Sequence, residues 1–441
     1  MPDLSRYSFV SRDVLLGLIL ALILSSHAVL VLCYGLVGSA GYGAFTATIL
    51  AAPTAALLLL CIRKGIEFHA PDFLFLGLLL AIAISFLLNP RAAPIKEIIL
   101  LILTFSTYPA CRFISSEQIG RLMPSFAVAT GAFSVIGAVV TAVAMYEQWG
   151  SDRVKPVVLG FEAAPIYFLT ALGLFMLAVV SRKMTARRAI VLALFLFPLI
   201  FIFSAAMVRF TFIAIFGALV VATLLSDSKQ RWRIGIVSLG IVAGIVAGLA
   251  TRSKAADFLI TYTMEAAGGH PVRAAGLPGP DVNVRTDGAA PSCHTTVNLR
   301  NSLDIRKAVF RDALFYIPKA GAFGYGLDGF TKLSCVEGTQ VHNSIMQAIV
   351  EFGWIGGACF VLLIFAAGIP LLPISRIDDD VRFIVCGLSF AVMLIIAYGR
   401  ISQDAIIFAF IGCSAGALRR NSLFPTRGYG ATGSHKPQIV S

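Results

Sequence analysis

The sequence predicts an all-α polytopic membrane protein. Hydrophobic residues make up 58% of the 441-residue chain and charged residues only 13%, whereas a soluble globular chain carries about 25% charged residues. The apolar residues also occur in long runs, as expected of helices that face lipid. These two features exclude a soluble multidomain protein, a disordered chain and a small disulfide-stabilised secreted fold.

Twelve apolar stretches are long enough, or nearly so, to cross a membrane, since a helical crossing needs about 20 residues. The stretches at residues 73–88, 97–111 and 404–418 are short. The others lie at residues 14–36, 42–62, 123–145, 163–180, 189–207, 210–225, 234–251, 347–373 and 382–398. We therefore expect about 12 transmembrane helices.

Residues 189–225 contain a single charge, Arg209. At about 1.5 Å per residue this region covers roughly 55 Å as a helix, which is close to two crossings of a bilayer core about 30 Å thick. Arg209 is therefore predicted to lie in the turn between two spans, at one membrane face.

The distribution of basic residues predicts the orientation. With the N-terminus inside, 19 of the 35 Lys and Arg residues lie in inner segments, six in short outer loops and ten in the long loop 252–341. Because short inner loops are enriched in Lys and Arg, both termini are expected to be cytoplasmic. The same bias accounts for the net charge of +12, so that no nucleic-acid partner is needed to explain it. The first span lacks an obvious cleavage site and is expected to be a retained anchor.

This topology divides the chain into four regions. Residues 1–251 hold the first nine spans, residues 252–341 form one long external loop, residues 342–418 hold the last three spans, and residues 419–441 form a basic tail. Cys293 and Cys335 both fall in the external loop, where they form a disulfide if the compartment is oxidising and otherwise stay free thiols.

Residues 302–317 of the loop predict an amphipathic helix. Its apolar face is formed by residues at helical spacing, namely Phe310, Ala313, Leu314 and Ile317. Arg306 projects from the middle of this face, where a charge needs a partner or a function. It either forms a salt bridge with Asp328 or Glu337, or it is a cation directed into a cavity at the membrane face.

Two ionisable residues, His342 and Glu351, lie at the outer end of the next apolar stretch. Such residues are rare in spans and usually face the protein interior or a wet cavity. Gly353, Gly356 and Gly357 follow them and are expected to let a neighbouring helix approach closely.

Topology places Arg209, Arg306 and His342 at the same membrane face. Two guanidiniums suit a diphosphate, because each presents a fork of donors that matches phosphate oxygens. A histidine suits a general base, because its pKa lies near neutrality. Together the three residues predict a transferase that acts on a lipid diphosphate.

Two segments resemble the O-antigen ligase and O-antigen polymerase superfamily. The first is His342-Asn343, nine residues, Gly353, two residues and Gly356. The second runs from Ser302 and Arg306 through Phe310, Ala313, Pro318 and Gly324 to Gly326, with Phe310 at a position where the family commonly has tryptophan. Arg209 stands where the family has an arginine at the outer end of a span.

The resemblance implies a metal-independent, inverting membrane glycosyltransferase of the C superfamily without a cofactor. It would act on the periplasmic side of the bacterial inner membrane and transfer a glycan from undecaprenyl diphosphate to lipid A–core in lipopolysaccharide biosynthesis. His342 would deprotonate the acceptor hydroxyl, and Arg209 and Arg306 would hold the diphosphate. Supporting roles fall to Asn343, Glu351 and Arg300.

Two alternatives remain open. A polymerase that extends undecaprenyl-linked repeat units needs the same base and the same diphosphate clamp. A lipid-linked sugar flippase is disfavoured, since it would have charged residues near mid-membrane and pseudo-symmetric halves.

The acidic cluster Asp378–Asp380 is expected to be a solvated cytoplasmic loop rather than a metal site. His27, inside the first span, is expected to be a packed or hydrogen-bonded residue.

Overall fold

The computed structural model describes residues 11–38, 43–62, 67–90, 93–149, 155–251, 288–294, 297 and 302–423. Within them the chain is a bundle of α-helices: α1 (Arg12–Leu24), α2 (Ser26–Val37), α3 (Ala44–Cys61), α4 (Ala70–Leu88), α5 (Ile95–Arg112), α6 (Ser116–Glu147), α7 (Ala164–Val180), α8 (Ala186–Ala205), α9 (Phe210–Leu225), α10 (Ser228–Ala250), α11 (Ser302–Tyr316), α12 (Ser344–Gly368), α13 (Asp379–Tyr398) and α14 (Ala405–Leu423). Short helical turns lie at Pro291–His294, Ile317–Lys319, Phe330–Leu333, Ile369–Leu371 and Leu372–Ser375. The predicted all-α membrane fold is confirmed in this coarse form.

Seven helices of the described chain are long and apolar enough to cross a membrane, or eight if α1 and α2 count together. The predicted number of twelve spans is not confirmed. Three further apolar helices are shorter, namely Ala164–Val180, Phe210–Leu225 and Ala405–Leu418. A helix the length of α9 covers roughly 24 Å, which is less than a bilayer core of about 30 Å.

Several helices that start at one face of the bundle carry side-chain N-caps, and we call this face the capped face. Its caps include Ser115 of α6, Thr185 of α8, Asp227 of α10 and Asp378 of α13, each of which accepts a hydrogen bond from a first-turn N–H. We call the opposite face, with residues 302–343 and the turn 399–404, the loop face. There α5, α7 and α9 start without a side-chain cap, whereas α12 is capped by the side chain of Asn343.

The acidic cluster at the capped face joins helices and is not a solvated loop. Asp379 pairs with Arg382 at 2.8 Å, and Asp380 pairs with Arg182 at 3.1 Å. Arg382 is buried and also donates to the carbonyl oxygen of Ser181 at 3.0 Å. The expectation from sequence was wrong because Arg182, the partner of Asp380, lies 198 residues away in the chain.

A small module forms the described part of the external loop. Cys293 and Cys335 form a disulfide, which is one of the two alternatives that the sequence left open, with Cα atoms 5.2 Å apart. Beside it the buried carboxylate of Asp312 in α11 accepts hydrogen bonds from Ser292 N at 3.0 Å and from Ser334 Oγ at 2.9 Å. One carboxylate and one disulfide thus tie three segments of the loop together.

Helix α11 has the predicted extent but a different buried side. Its buried residues are Ala308, Val309, Asp312, Ala313 and Tyr316. Phe310 and Leu314, which were predicted to be buried, are 47% and 50% exposed. The prediction was wrong because it weighed apolar residues alone, whereas the hydrogen bonds of Asp312 turn that side of the helix inward.

Two predicted spans are interrupted. The first bends by 82° between α1 and α2, at Ser25. Helix α12 breaks at Gly353, where φ is 73° and ψ is −174°. The loop 321–326 covers this break, because Trp354 N donates to Gly321 O at 3.0 Å and Gly326 N donates to Glu351 O at 2.9 Å. Gly353 was expected to admit a neighbouring helix, but it admits this loop.

Gly353→Ala is expected to destabilise the protein by about 1–3 kcal/mol from backbone strain alone. The backbone conformation is one that only glycine readily adopts, and a Cβ would also overlap the backbone of Ala322. Thermal unfolding of purified protein in detergent measures the effect. Gly235→Ala is the matched control, since a Cβ at this helical glycine meets nothing within 4 Å. Equal unfolding temperatures for the two variants would contradict the conclusion that the break at Gly353 requires a glycine.

Candidate active site

A cleft of about 420 Å³ opens at the loop face, between α11 and the ends of three helices of the bundle. Its lining residues come from four parts of the chain: Phe210, Arg306, Lys307, Val309, Phe310, Val341, His342, Asn343, Ile396 and Ala397. The structure therefore brings two of the predicted site residues, Arg306 and His342, to one cavity. Asn343 joins them there.

Arg306 reaches from α11 to the membrane helices. Its guanidinium carbon lies 4.3 Å from the ring centre of Phe210, and Nη1 is 3.5 Å from the carbonyl oxygen of Ala397. An arginine over an aromatic face is held there by cation–π attraction. Asp328, one of the two acids considered as its partner, instead pairs with Arg400 at 3.4 Å.

Arg209 lies beside the same cleft, immediately before Phe210. It occupies the turn between α8 and α9, as predicted from the single charge in that apolar region. Met207 in this turn has φ of 64°, in the left-handed region that non-glycine residues seldom adopt. The tight turn directs the chain into α9 and places Arg209 at the N-terminus of that helix.

Lys155 adds a cation that sequence reasoning did not assign to the site. Burial and the positive charges of Arg209 and Arg306 lower the pKa of Lys155. The three basic side chains therefore lie close enough to repel one another. The sequence indicated only that Lys155 lies in a short outer loop, on the same membrane face as Arg209.

Two helix N-termini add positive potential. Helix α9 starts at Phe210 on the cleft wall, and α12 starts directly after Asn343. The N-terminus of an α-helix carries about half a positive charge and favours anions. Asn343 caps α12, because its Oδ1 accepts from the N–H groups of Ile345 and Met346 at 3.1 Å. This cap fixes where α12 begins and hence where His342 stands.

His342 is an exposed residue, and its side chain lines the cleft. Burial first, and then the charges of Arg306 and Arg400, lower the pKa of His342 from 6.5 to about 4. The imidazole is therefore neutral at physiological pH and has a nitrogen that can accept a proton. An anion bound between it and the arginines would raise this pKa.

Below His342, a polar contact joins α12 to the turn 399–404. Ser344 Oγ donates to the carboxylate of Asp404; Ser344 is buried and Asp404 is partly buried. Ile401 N donates to Gln347 Oε1 at 2.9 Å. Asp404 was not predicted, although it is an ionisable residue at the outer end of a span, which is the signal that identified Glu351.

Arg400 connects the external module to the bundle. It pairs with Glu97 at the start of α5 at 3.1 Å and with Asp328 of the loop at 3.4 Å. Ser402 Oγ also donates to Glu97 at 2.9 Å. These contacts hold the module, and with it α11 and Arg306, above the cleft.

Glu351 is not among the residues that line the cleft. Its side chain is buried and accepts from Gln347 Nε2 at 3.0 Å, and its carbonyl oxygen accepts from Ser85 Oγ at 2.8 Å. Glu351 therefore has a structural position beside the break in α12, where that helix packs on α4. Arg300 lies outside the described residues.

Comparison of the chain with family models, curated proteins and solved structures finds no match. The resemblance to O-antigen ligases rests on the motif residues named above. In the described part of the chain, no group of three or more His, Cys, Asp or Glu side chains is arranged to hold a metal ion.

Arg306→Gln is expected to raise the pKa of His342 towards 6.5, because it removes a nearby positive charge. Diethyl pyrocarbonate reacts with neutral imidazole, so its rate at His342, followed by peptide mass spectrometry, reports the titration. In the unaltered protein the rate should stay constant from pH 7 to about pH 5, since the pKa is about 4. In the variant the fall should begin at a higher pH than in the unaltered protein, although burial and Arg400 still lower the pKa. A wild-type midpoint near 6.5 would contradict the site electrostatics.

Proposed function

We propose that this protein is an O-antigen ligase-like glycosyltransferase, which moves a glycan from undecaprenyl diphosphate to lipid A–core. One observation carries the proposal: Arg306 and a neutral, open His342 line the same cleft, with Arg209 beside it. A cation pair that matches a diphosphate and a base that can accept a hydroxyl proton are the two groups that such a transfer needs.

In the proposed reaction, the diphosphate of the donor binds Arg209 and Arg306 near the N-terminus of α9. His342 takes the proton of an acceptor hydroxyl, whose oxygen attacks the anomeric carbon of the glycan. A new C–O bond forms as the bond to the diphosphate breaks, and undecaprenyl diphosphate leaves with the electron pair. Cations held beside the leaving group stabilise its growing charge, which is usually the largest catalytic effect.

The electrostatics of the cleft fit this substrate. Lys155, Arg209, Arg306 and His342 lie close enough for their charges to perturb one another, and this repulsion is relieved when an anion binds. The bound diphosphate also raises the pKa of His342, so donor binding strengthens the base. A neutral ligand would relieve none of this repulsion.

The proposal places the loop face in the periplasm and the capped face in the cytoplasm. The excess of Lys and Arg in the short segments of the capped side supports this orientation. A disulfide in the module of the loop face is also typical of an oxidising compartment. The bundle would then lie in the bacterial inner membrane.

His342→Ala is expected to abolish transfer without loss of folded protein. The assay uses purified protein in detergent with an undecaprenyl-diphosphate oligosaccharide and, separately, lipid A–core as acceptor. Glycan on lipid A–core shows a ligase, and longer undecaprenyl-linked glycan shows a polymerase with the same site. His294→Ala is the matched control, since His294 is an exposed histidine of the same module. Normal transfer by the His342 variant would refute the mechanism.

Arg306→Lys and Arg209→Lys should each reduce kcat/KM by roughly 100-fold, because lysine keeps the charge but lacks the bidentate fork. Arg311→Lys is the control on α11, where the side chain is exposed. The same transfer assay, with the donor concentration varied, measures the loss. Full activity in both lysine variants would show that the arginines act only as general positive charge.

A further inference from the structure

The starts of α8 and α10 lie side by side at the capped face. Both helices run from this face towards the loop face, since α9 returns the chain between them. Gln230, a buried residue in the first turn of α10, accepts from Met184 N at 3.1 Å and donates through Nε2 to the carbonyl oxygen of Arg182 at 2.9 Å. One side chain thus ties the start of α10 to the turn that precedes α8.

Five basic residues belong to these two helix starts, and we call them the basic patch: Lys183, Arg187, Arg188, Lys229 and Arg233. Arg233 is half-buried and the other four are exposed. Arg231 is not part of the patch, because its Nε donates to the carbonyl oxygens of Thr223 and Ser226 at the end of α9. The basic patch therefore consists of side chains that point away from the bundle interior or lie at its edge.

Positive charge is in excess at the basic patch. Elsewhere at the capped face arginines pair with carboxylates: Arg112 with Asp72, Arg121 with Asp13, Arg182 with Asp380 and Arg382 with Asp379. Within the described residues no such ion pair involves the basic patch. The nearby acid is Asp227, whose pKa is lowered by the hydrogen bond from Gln230 N and further by the charges of Lys183 and Arg233. Arg187, Arg188 and Lys229 also lie in first helical turns, where the helix dipole favours negative charge.

The outward sides of both helices become apolar directly after the basic patch. On α10 the exposed residues Lys229, Trp232, Leu239 and Val246 recur at intervals of three and seven, so they share one side of the helix. Trp232 stands between the charge and the apolar residues, at the level where tryptophan is enriched at a membrane surface. The outward side of α8 repeats the order, with exposed apolar residues that follow Arg187: Ile190, Val191 and Leu194.

We propose that the basic patch and the apolar surface next to it bind an anionic phospholipid of the leaflet at the capped face. The lipid phosphate lies against the basic patch, its ester groups lie at the level of Trp232, and its acyl chains follow the outward sides of α8 and α10. A zwitterionic lipid carries its own ammonium group and offsets less of the positive charge. A soluble phosphate compound has no acyl chain for the apolar surface. This binding does not depend on the proposed glycosyl transfer.

Tryptophan quenching tests where the lipid binds. Trp232 and Trp149 are both 72% exposed, and Trp149 follows α6 at the loop face, so it is the matched control. Full-length proteins that keep one of these two as the single tryptophan, with Phe at the other tryptophan positions, are placed in phosphatidylcholine vesicles. Phosphatidylglycerol with brominated acyl chains should quench Trp232 at an about tenfold lower mole fraction than Trp149. Brominated phosphatidylcholine should quench both alike. Equal quenching of the two tryptophans by phosphatidylglycerol would overturn the proposal.

Arg187→Gln combined with Lys229→Gln tests the charges, since it removes one from each helix start. Binding of phosphatidylglycerol to purified protein in detergent, followed as lipid adducts by native mass spectrometry, should weaken by roughly 30-fold, the usual effect of two basic residues at an anionic surface.

The matched control is Arg121→Gln combined with Arg376→Gln, which removes two exposed charges from the same face and should leave phosphatidylglycerol binding unchanged. Equal losses in the two double variants would show only the general positive charge of this face and would refute the site. Displacement of phosphatidylglycerol by excess glycerol phosphate would show a site for soluble phosphates instead of a lipid.

Discussion

The arrangement of this protein depends on satisfying main-chain polar groups where its apolar helices break. At Gly353 helix α12 stops and restarts, and the loop 321–326 supplies the missing partners: Trp354 and Ile355 donate to carbonyl oxygens of the loop, and Tyr325 and Gly326 donate to carbonyl oxygens of the helix. Inside a bilayer such irregular backbone is tolerated only where protein or water satisfies it. The break therefore binds the external module to the bundle and holds α11 above the cleft.

Charge is distributed differently at the two faces of the bundle. At the capped face arginines meet carboxylates, as in the contacts of Arg112 with Asp72 and of Arg382 with Asp379. At the cleft the basic groups lie close to one another, so that the charges of Arg209 and Arg306 add to the effect of burial in lowering the pKa of Lys155. Contacts of the first kind stabilise the bundle. In a cluster of the second kind the positive charges repel one another, and the carboxylate of Glu162 acts on the pKa of Lys155 in the opposite direction.

Sequence reasoning was accurate where one local property decided the outcome. Hydropathy located the helical stretches, and the single charge in residues 189–225 located the turn at Arg209. The sequence-based prediction was wrong about which side of α11 is buried, and it was wrong in treating the first span as one continuous helix. In α11 the polar Asp312 is buried by partners outside the helix. At Ser25 no proline or glycine marks the 82° bend.

The sequence by itself determined the all-α membrane class, the extent of α11, the cysteines of the disulfide and two side chains of the cleft, Arg306 and His342. Each follows from composition, periodicity or topology, which are properties of one segment or of segment order. Only the tertiary structure decided that Lys155 joins the cations, that Asp404 lies below His342, and that the starts of α8 and α10 form one basic patch. These depend on distances between segments remote in the chain, which are set by packing and not by any local pattern.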